Sequence, residues 1–190
     1  MNDENTVNTP LSSSEDGTAK KTCLEKVIAL AGTQYAGKTE VLKRLTDDLK
    51  AWGKSVGLIA VSKKDDDNNG RDFREALELS NAEKTLKIGI CTSGDDRGII
   101  TENFKFLAKH DCQVAVMACR ATVGEQSGSV QEVIAKSNVF GLIPYFVAKM
   151  KFDAEIKDSS QQIVTVNIPN ADKQTIQQLV DMIVWHGRFL

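Results

Sequence analysis

The sequence lacks several features that would assign it to a common class of protein. Its 190 residues include 24 Lys and Arg against 26 Asp and Glu, a net charge of −2, and no basic block offsets that balance. Because nucleic-acid binding depends on a basic surface, we do not expect a nucleic-acid partner. No apolar run is long enough to span a bilayer, and the first residues have neither the positive start nor the apolar stretch of a secretion signal. These absences predict a cytoplasmic protein without a membrane partner.

Cysteine and histidine are scarce, and their spacing fits neither a disulfide framework nor a metal site. The four cysteines form no C-x-x-C pair, and three of them lie in or beside apolar runs, where cysteine acts as a small hydrophobe. His110 and His186 have no nucleophile or metal partner at a characteristic spacing. We therefore expect buried thiols in a reducing compartment and structural histidines.

The chain divides into a polar start and an alternating remainder. Residues 1–22 are almost all polar and offer too little apolar surface to offset the entropy of ordering them, which predicts a disordered tail. From Leu24 onward, short apolar runs alternate with helical patterns. This alternation is typical of an α/β fold, and it predicts one domain over residues 23–190, a three-layer sandwich with a mainly parallel central sheet.

The first half of this domain contains one ambiguous segment. The pattern predicts a strand over LEKVIALA, a helix over residues 37–52 that ends at Gly53, and a second strand over residues 55–62 that is buried on both faces. KKDDDNNG is a polar loop. FREALEL is either a short helix or a strand paired antiparallel with TLKIGICT, and we favour the hairpin.

The second half is more regular. A helix over IITENFKFLAKH and a buried strand over QVAVMAC are followed by a glycine-containing loop, RATVGEQSGS, and a short helix, SVQEVIAKS. Pro144 interrupts the apolar stretch VFGLIPYFVAKMKF. A last strand, QQIVTVNIP, precedes a last helix, ADKQTIQQLVDMIVWH, with Asp172 placed to cap its N-terminus.

The segment GTQYAGKT fits the pattern G-x-x-x-x-G-K-[ST], with an apolar strand before it and an amphipathic helix after it, as this pattern requires. In such a loop the backbone N–H groups and the helix N-terminus point into one concavity, where the helix dipole also favours an anion. The alternative is a plain strand-to-helix turn whose Gly, Lys and Thr serve geometry and solubility. The candidate nucleotide-binding residues are Gly32, Thr33, Gln34, Tyr35, Ala36, Gly37, Lys38 and Thr39.

With this motif and these flanks, the sequence resembles the P-loop NTPase superfamily. The resemblance implies that Lys38 contacts the β- and γ-phosphates of a nucleoside triphosphate and that Thr39 Oγ1 is a ligand of Mg²⁺. The sequence departs from many members of the superfamily at Tyr35, where Gly or Asn is common and a bulky residue adopts φ > 0 less readily. Tyr35 therefore either alters the loop conformation or places its ring over the nucleotide.

Acidic residues follow the segment TLKIGICT, where the resemblance implies a metal-binding aspartate. Ligands of open α/β sheets gather at the carboxyl ends of the strands, so we assign Asp95, and after it Asp96, as metal-site carboxylates. The alternative is that SGDDRG is a turn in which one of these aspartates caps the next helix. The acidic run Asp65–Asp67 is more typical of a solvated loop.

Phosphoryl transfer needs cations around the migrating group, and Arg120 at the end of the strand QVAVMAC is the candidate that joins Lys38 in a catalytic role. The alternative is an ordinary surface arginine. The chain has no paired-arginine lid of the kind found in nucleotide kinases, and no N-K-x-D-like segment follows the later strand. However, the hairpin followed by SGDDRG resembles the switch region of small GTPases, so ATP and GTP both stay open as ligands.

The leading hypothesis is Mg²⁺-dependent binding and hydrolysis of ATP or GTP. One alternative is transfer of the γ-phosphoryl group to a small acceptor held by RATVGEQSGS and the YFVAKMKF region. The other is a nucleotide-dependent switch or subunit that acts on a protein partner, because no residue that would position a water molecule is evident.

Overall fold

The alternation of apolar runs and amphipathic segments produces a mixed six-stranded sheet with helices on both faces. A computed structural model describes residues 23–66, 72–121, 128–149, 153–157, 163–167 and 171–186. The elements in chain order are β1 (Lys26–Gly32), α1 (Lys38–Ser55), β2 (Ile59–Asp66), β3 (Phe73–Ser80), β4 (Thr85–Cys91), α2 (Arg97–Lys109), β5 (Val114–Arg120), α3 (Ser129–Val139), β6 (Tyr145–Ala148), β7 (Asp153–Lys157), β8 (Ile163–Asn167) and α4 (Ala171–His186).

The strand order determines which loops meet. The main sheet runs β2-β3-β4-β5-β1-β6, with β4, β5, β1 and β6 parallel to one another. β3 is antiparallel to β2 and to β4. The carboxyl ends of the four parallel strands and the start of β3 therefore lie along one edge of the sheet, which we call the carboxyl edge.

Each face of the sheet has its own apolar core, because successive side chains of a strand point to opposite faces. In β1, Ile28 and Leu30 pack into the cluster that α1 and α4 cover. Val27 and Ala29 belong to the cluster on the other face, with Phe104 and other residues of α2 and α3. The central strands are thus buried on both faces. For β5 this confirms the prediction made from the continuous apolar run QVAVMAC.

The structure confirms the predicted hairpin. FREALEL is strand β3, and it pairs antiparallel with β4 in a register that places Ser80 opposite Thr85. Buried and half-buried residues alternate along β3, which is the period of a strand and not of a helix. The predicted helices over IITENFKFLAKH and SVQEVIAKS are also confirmed, as α2 and α3.

Two predictions in the first half were wrong. Helix α1 does not end at Gly53 but continues to Ser55, with Val56 as C-cap, because the glycine that takes the left-handed conformation after the C-cap is Gly57, with φ 77°. Gly53 instead allows close packing, since a Cβ there would lie 2.9 Å from Leu79 Cδ2. The second strand is not buried on both faces. It runs from Ile59 to Asp66 at the edge of the sheet and is exposed, because it pairs only with β3 and extends into the polar segment that was expected to be a loop.

One of the C-terminal predictions needs a correction. The predicted last strand is present as β8, and it pairs with β7 in a separate two-stranded sheet. Asp172 lies in the first turn of α4, not at the N-cap, since the helix already begins at Ala171. Pro144 does interrupt the apolar stretch, and β6 begins directly after it.

Some predictions fall on residues outside the described ranges. These include the tail of residues 1–22, Asp67, and residues 122–127 and 150–152 of the segments expected to hold an acceptor. The division into a tail and one domain over residues 23–190 stays a prediction. Among the described residues, no helix combines the length and apolar character needed to cross a bilayer.

The ion pair between Lys50 of α1 and Glu75 of β3 tests the inward register of β3. Glu75 is almost fully buried and lies 2.7 Å from Lys50 Nζ. Lys50→Met should lower the free energy of unfolding by about 2 kcal/mol, because the buried carboxylate then has no countercharge. Urea titration measures this, with the exposed Lys54→Met as control. Adding Glu75→Leu to Lys50→Met removes the unpaired carboxylate and should restore part of the lost free energy of unfolding. If the double variant is as destabilised as Lys50→Met alone, the unpaired carboxylate is not the cause.

Candidate functional site

The loop between β1 and α1 contains two residues in the left-handed region. Tyr35 has φ 61° and Gly37 has φ 81°. Such a φ is unusual for tyrosine and costs roughly 1 kcal/mol or more. The Tyr35 side chain is 85% exposed, so its ring does not stabilise this conformation by packing. The backbone at Tyr35 is therefore left-handed although the residue is not glycine, and the tyrosine ring lies at the surface.

The first glycine of the motif, Gly32, is needed for close backbone packing. A Cβ at this position would overlap the carbonyl oxygen of Lys149, the residue that follows β6. The Lys149 N–H donates to Ala31 O at 2.7 Å, and the Ala121 N–H donates to Gly32 O at 3.1 Å. The ends of β6, β1 and β5 are thereby held together where the loop begins.

Helix α1 begins at the other end of the loop without a side-chain cap. Gly37 is its N-cap, and no side chain of the described residues accepts a hydrogen bond from its first amides. Its first residue, Lys38, is buried and folds back so that Nζ donates to Gly32 O at 3.0 Å and Thr33 O at 2.8 Å. Burial lowers the pKa of Lys38, and the charge of Asp95 opposes that shift. The helix N-terminus and a lysine ammonium thus border the same loop.

The oxygen-bearing side chains of Thr39, Asp72 and Thr92 form one cluster. Thr39 Oγ1 donates to Asp72 Oδ1 at 3.1 Å, and Thr92 Oγ1 lies 3.2 Å from the same oxygen. Thr92 Oγ1 also accepts the Phe73 N–H at 2.8 Å. Asp72 directly precedes β3 and Thr92 directly follows β4, so the antiparallel hairpin brings them to the carboxyl edge. This cluster contains the only carboxylate that the described structure shows bonded to Thr39.

Asp95 and Arg120 form an ion pair on the β5 side of the loop. Arg120 Nη2 lies 3.3 Å from Asp95 Oδ1. The chain reaches this position because Gly94 packs against Ala118, where a Cβ would overlap the Ala118 carbonyl oxygen. The Arg120 N–H donates to Gly94 O at 3.2 Å. The loop that carries Asp95 and the end of β5 are therefore fixed to each other. The charge of Asp95 raises the pKa of Lys38 and the charge of Arg120 lowers it.

Asp96 has a different position from Asp95. It is the N-cap of α2, and its Oδ1 accepts the Ile99 N–H at 2.9 Å. This is the helix-capping alternative that the sequence left open. Asp65 lies on the exposed edge strand β2. Among Asp65, Asp95 and Asp96, whose side chains the structure describes, Asp95 is the one in contact with another predicted site residue.

Sequence reasoning missed Asp72, Thr92 and Lys149. Asp72 could have been found, because the favoured hairpin implies that the start of FREALEL lies beside the end of TLKIGICT. Lys149 gave no signal, because its position depends on how β6 pairs with β1. In the described part of the chain, no group of three or more His, Cys, Asp or Glu is arranged to hold a metal ion.

Comparison with protein-family models, with curated proteins and with solved structures finds no match to this chain.

Three of the four cysteines behave as buried hydrophobic residues. Cys91, Cys112 and Cys119 are buried, and burial raises the pKa of Cys112 and Cys119 to about 12. Burial also raises the pKa of Cys91. The thiolate is the reactive form, so these side chains should be inert in the folded protein.

Thiol titration tests this packing. At pH 8, below the raised pKa values, Ellman's reagent should label one thiol of the folded chain, that of the exposed Cys23, and all four after denaturation. Cys23→Ser should reduce the folded count to zero. Rapid labelling of a second thiol in folded Cys23→Ser would show that a buried cysteine is accessible.

The packing of Gly94 on β5 gives a second test. Gly94→Ala should displace the loop that carries Asp95, because the added methyl overlaps backbone that cannot move aside cheaply. We expect a loss of about 1–3 kcal/mol in the free energy of unfolding. Urea titration measures it, with Gly98→Ala in the first turn of α2 as the matched control. An equal and small loss in both variants would contradict the packing argument.

Proposed function

We propose that the chain is a P-loop protein that binds a nucleoside triphosphate with Mg²⁺ and hydrolyses its β–γ bond. One observation carries the proposal: the loop GTQYAGKT joins a central parallel strand to the uncapped N-terminus of α1 at the carboxyl edge. This is where open α/β sheets bind their ligands and where a helix N-terminus favours an anion. The lysine and threonine of the motif are the first two residues of this helix.

Lys38 supplies the first positive charge. Its ammonium bonds to two carbonyl oxygens of the loop, Gly32 O and Thr33 O, and a phosphate oxygen offers the same ammonium a stronger, charge-assisted bond. Because Lys38 is buried, water screens its charge only weakly. In the proposed complex it contacts the terminal phosphates.

The oxygen cluster beside Thr39 fits a magnesium ion. Mg²⁺ prefers oxygen ligands, and at phosphate sites it takes one or two protein carboxylates or hydroxyls together with phosphate oxygens and water. Thr39 Oγ1 and Asp72 provide a hydroxyl and a carboxylate that already lie in contact. When bound, the ion would neutralise charge on the phosphates. We therefore propose Thr39 and Asp72 as protein ligands, in addition to the Asp95 inferred from sequence.

Arg120 is the proposed charge stabiliser. Asp95 holds its guanidinium at the end of β5, the strand next to β1, so that it faces the loop from the side opposite β6. Fixed cations lower the barrier of phosphoryl transfer by stabilising charge that develops on the phosphoryl group. Lys38 and Arg120 would act together in this way.

A nucleotide-dependent switch is the second candidate, and the edge strand β2 favours it. Ile59 is 67% exposed and Val61 is 51% exposed, and the outer edge of β2 has no neighbouring strand among the described residues. The same hairpin system carries Asp72 beside Thr39. A change at Asp72 on nucleotide binding could therefore reach a surface suited to a protein partner.

Lys38→Ala tests the phosphate loop. Loss of the buried ammonium should weaken binding of ATP and GTP by roughly 10- to 100-fold, the effect of losing one charge-assisted contact. Calorimetric titration with each nucleotide, with and without Mg²⁺, measures it, and Lys54→Ala in the exposed last turn of α1 is the control. Unchanged affinity in Lys38→Ala would refute the assignment. The same titrations, followed by phosphate release, distinguish hydrolysis from a switch.

A matched pair of aspartates tests the metal site. Asp72→Asn should weaken the Mg²⁺ dependence of nucleotide binding by roughly tenfold or more, since one anionic ligand is lost. Asp96→Asn should leave it unchanged, because asparagine caps a helix as well as aspartate does. Nucleotide binding titrated against Mg²⁺ concentration measures both. The opposite ranking of the two variants would contradict the proposal, and Asp95→Asn shows whether that carboxylate takes part.

A further inference from the structure

A second buried lysine, Lys149, contacts the loop from the side opposite Arg120. Its N–H donates to Ala31 O at 2.7 Å, and its carbonyl oxygen packs against Gly32. Its Cε lies 3.9 Å from where a Cβ of Gly37 would be. The backbone of Lys149 therefore meets the first glycine of the motif, and its side chain reaches the second.

Lys149 has an ion-pair partner on α4. Lys149 Nζ forms an ion pair with Asp172 Oδ1 in the first turn of that helix. The lysine side chain is only 7% exposed, whereas the aspartate side chain is 39% exposed. A carboxylate that reaches water and lies in the first turn of a helix stays stabilised without a lysine, by hydration and by the helix dipole. Asp172 can therefore release Lys149 at a modest cost.

The position of β6 determines which part of a ligand Lys149 meets. β5 and β6 flank β1 on opposite sides, so Arg120 and Lys149 flank the loop on opposite sides. A phosphate chain in the loop would lie between these two cations. Lysine has a flexible four-carbon stem and three donors, so its ammonium can move between a carboxylate and a nearby phosphate oxygen.

We propose that Lys149 is a second phosphate-binding cation, which leaves Asp172 to bind the phosphate chain held by the loop. This proposal rests on the proposed function of the loop. It also gives α4 a role, because the helix loses its ion pair when the phosphate chain binds. Asp172 then acts as a competitor for Lys149 and not as a ligand.

The experiment measures binding of inorganic tripolyphosphate by calorimetry to the full chain and its variants. Lys149→Met should weaken binding about tenfold, the effect of one lost charge-assisted contact, and Lys149→Arg should retain most of it. Asp172→Asn should bind more tightly, because the carboxylate of Asp172 no longer competes for Lys149. Lys173→Met, an exposed lysine of the same helix, should bind as the parent does. Thermal unfolding of each variant verifies that it is folded.

The variants separate a binding role from a structural one. A structural ion pair would make Asp172→Asn as harmful as Lys149→Met, and that result overturns the proposal, as does unchanged binding in Lys149→Met. If Lys149→Met does not fold, tighter binding by Asp172→Asn carries the test, and weaker or equal binding overturns it. A loss in Lys38→Ala without one in Lys149→Met refutes this inference alone. No binding by the parent refutes the proposed function with it.

Discussion

The close backbone contact between Gly32 and Lys149 is the constraint on which the site depends. A side chain at position 32 would separate the end of β1 from the end of β6, and the loop could not begin where it does. Hydrogen bonds from Lys149 and Ala121 to the last two residues of β1 then fix the strand ends on both sides. The positions of Lys38 and of the start of α1 depend on these contacts.

Much of the fold was predictable because it follows from burial. The central strands read as continuous apolar runs since both of their faces are covered, and the amphipathic helices show which side meets the sheet. The same reasoning gave a wrong prediction for the edge strand β2. Its apolar residues Ile59 and Val61 suggested a buried strand, but they lie on an exposed edge. Periodicity reports local pattern, and strand order depends on contacts far apart in sequence.

Candidate site residues could be predicted where they are contiguous in sequence, and not where strand pairing brings them to the loop. The motif indicated the loop, Lys38 and Thr39 as candidates because its residues are contiguous. The contact between Asp95 and Arg120 was within reach, since both follow parallel strands. Asp72 and Lys149 were missed because they meet the loop only through the β3–β4 hairpin and the pairing of β6 with β1. Tyr35 shows the limit of a motif, since a residue that the pattern disfavours still adopts φ 61°.

Two of the three cations around the loop are paired with carboxylates, and this pairing has a consequence for any anion that binds. Arg120 lies beside Asp95 and Lys149 lies beside Asp172, whereas the Lys38 ammonium is bonded to the carbonyl oxygens of Gly32 and Thr33. A triphosphate adds several negative charges to a site in which two of the cations already face carboxylates, so Coulomb attraction gains less than three unpaired cations would give. Binding must therefore exchange partners, bring in a divalent cation, or both. The half-exposed Asp172 suits an exchange of partners, because it can lose Lys149 and stay hydrated. The Thr39–Asp72 contact suits binding of a divalent cation.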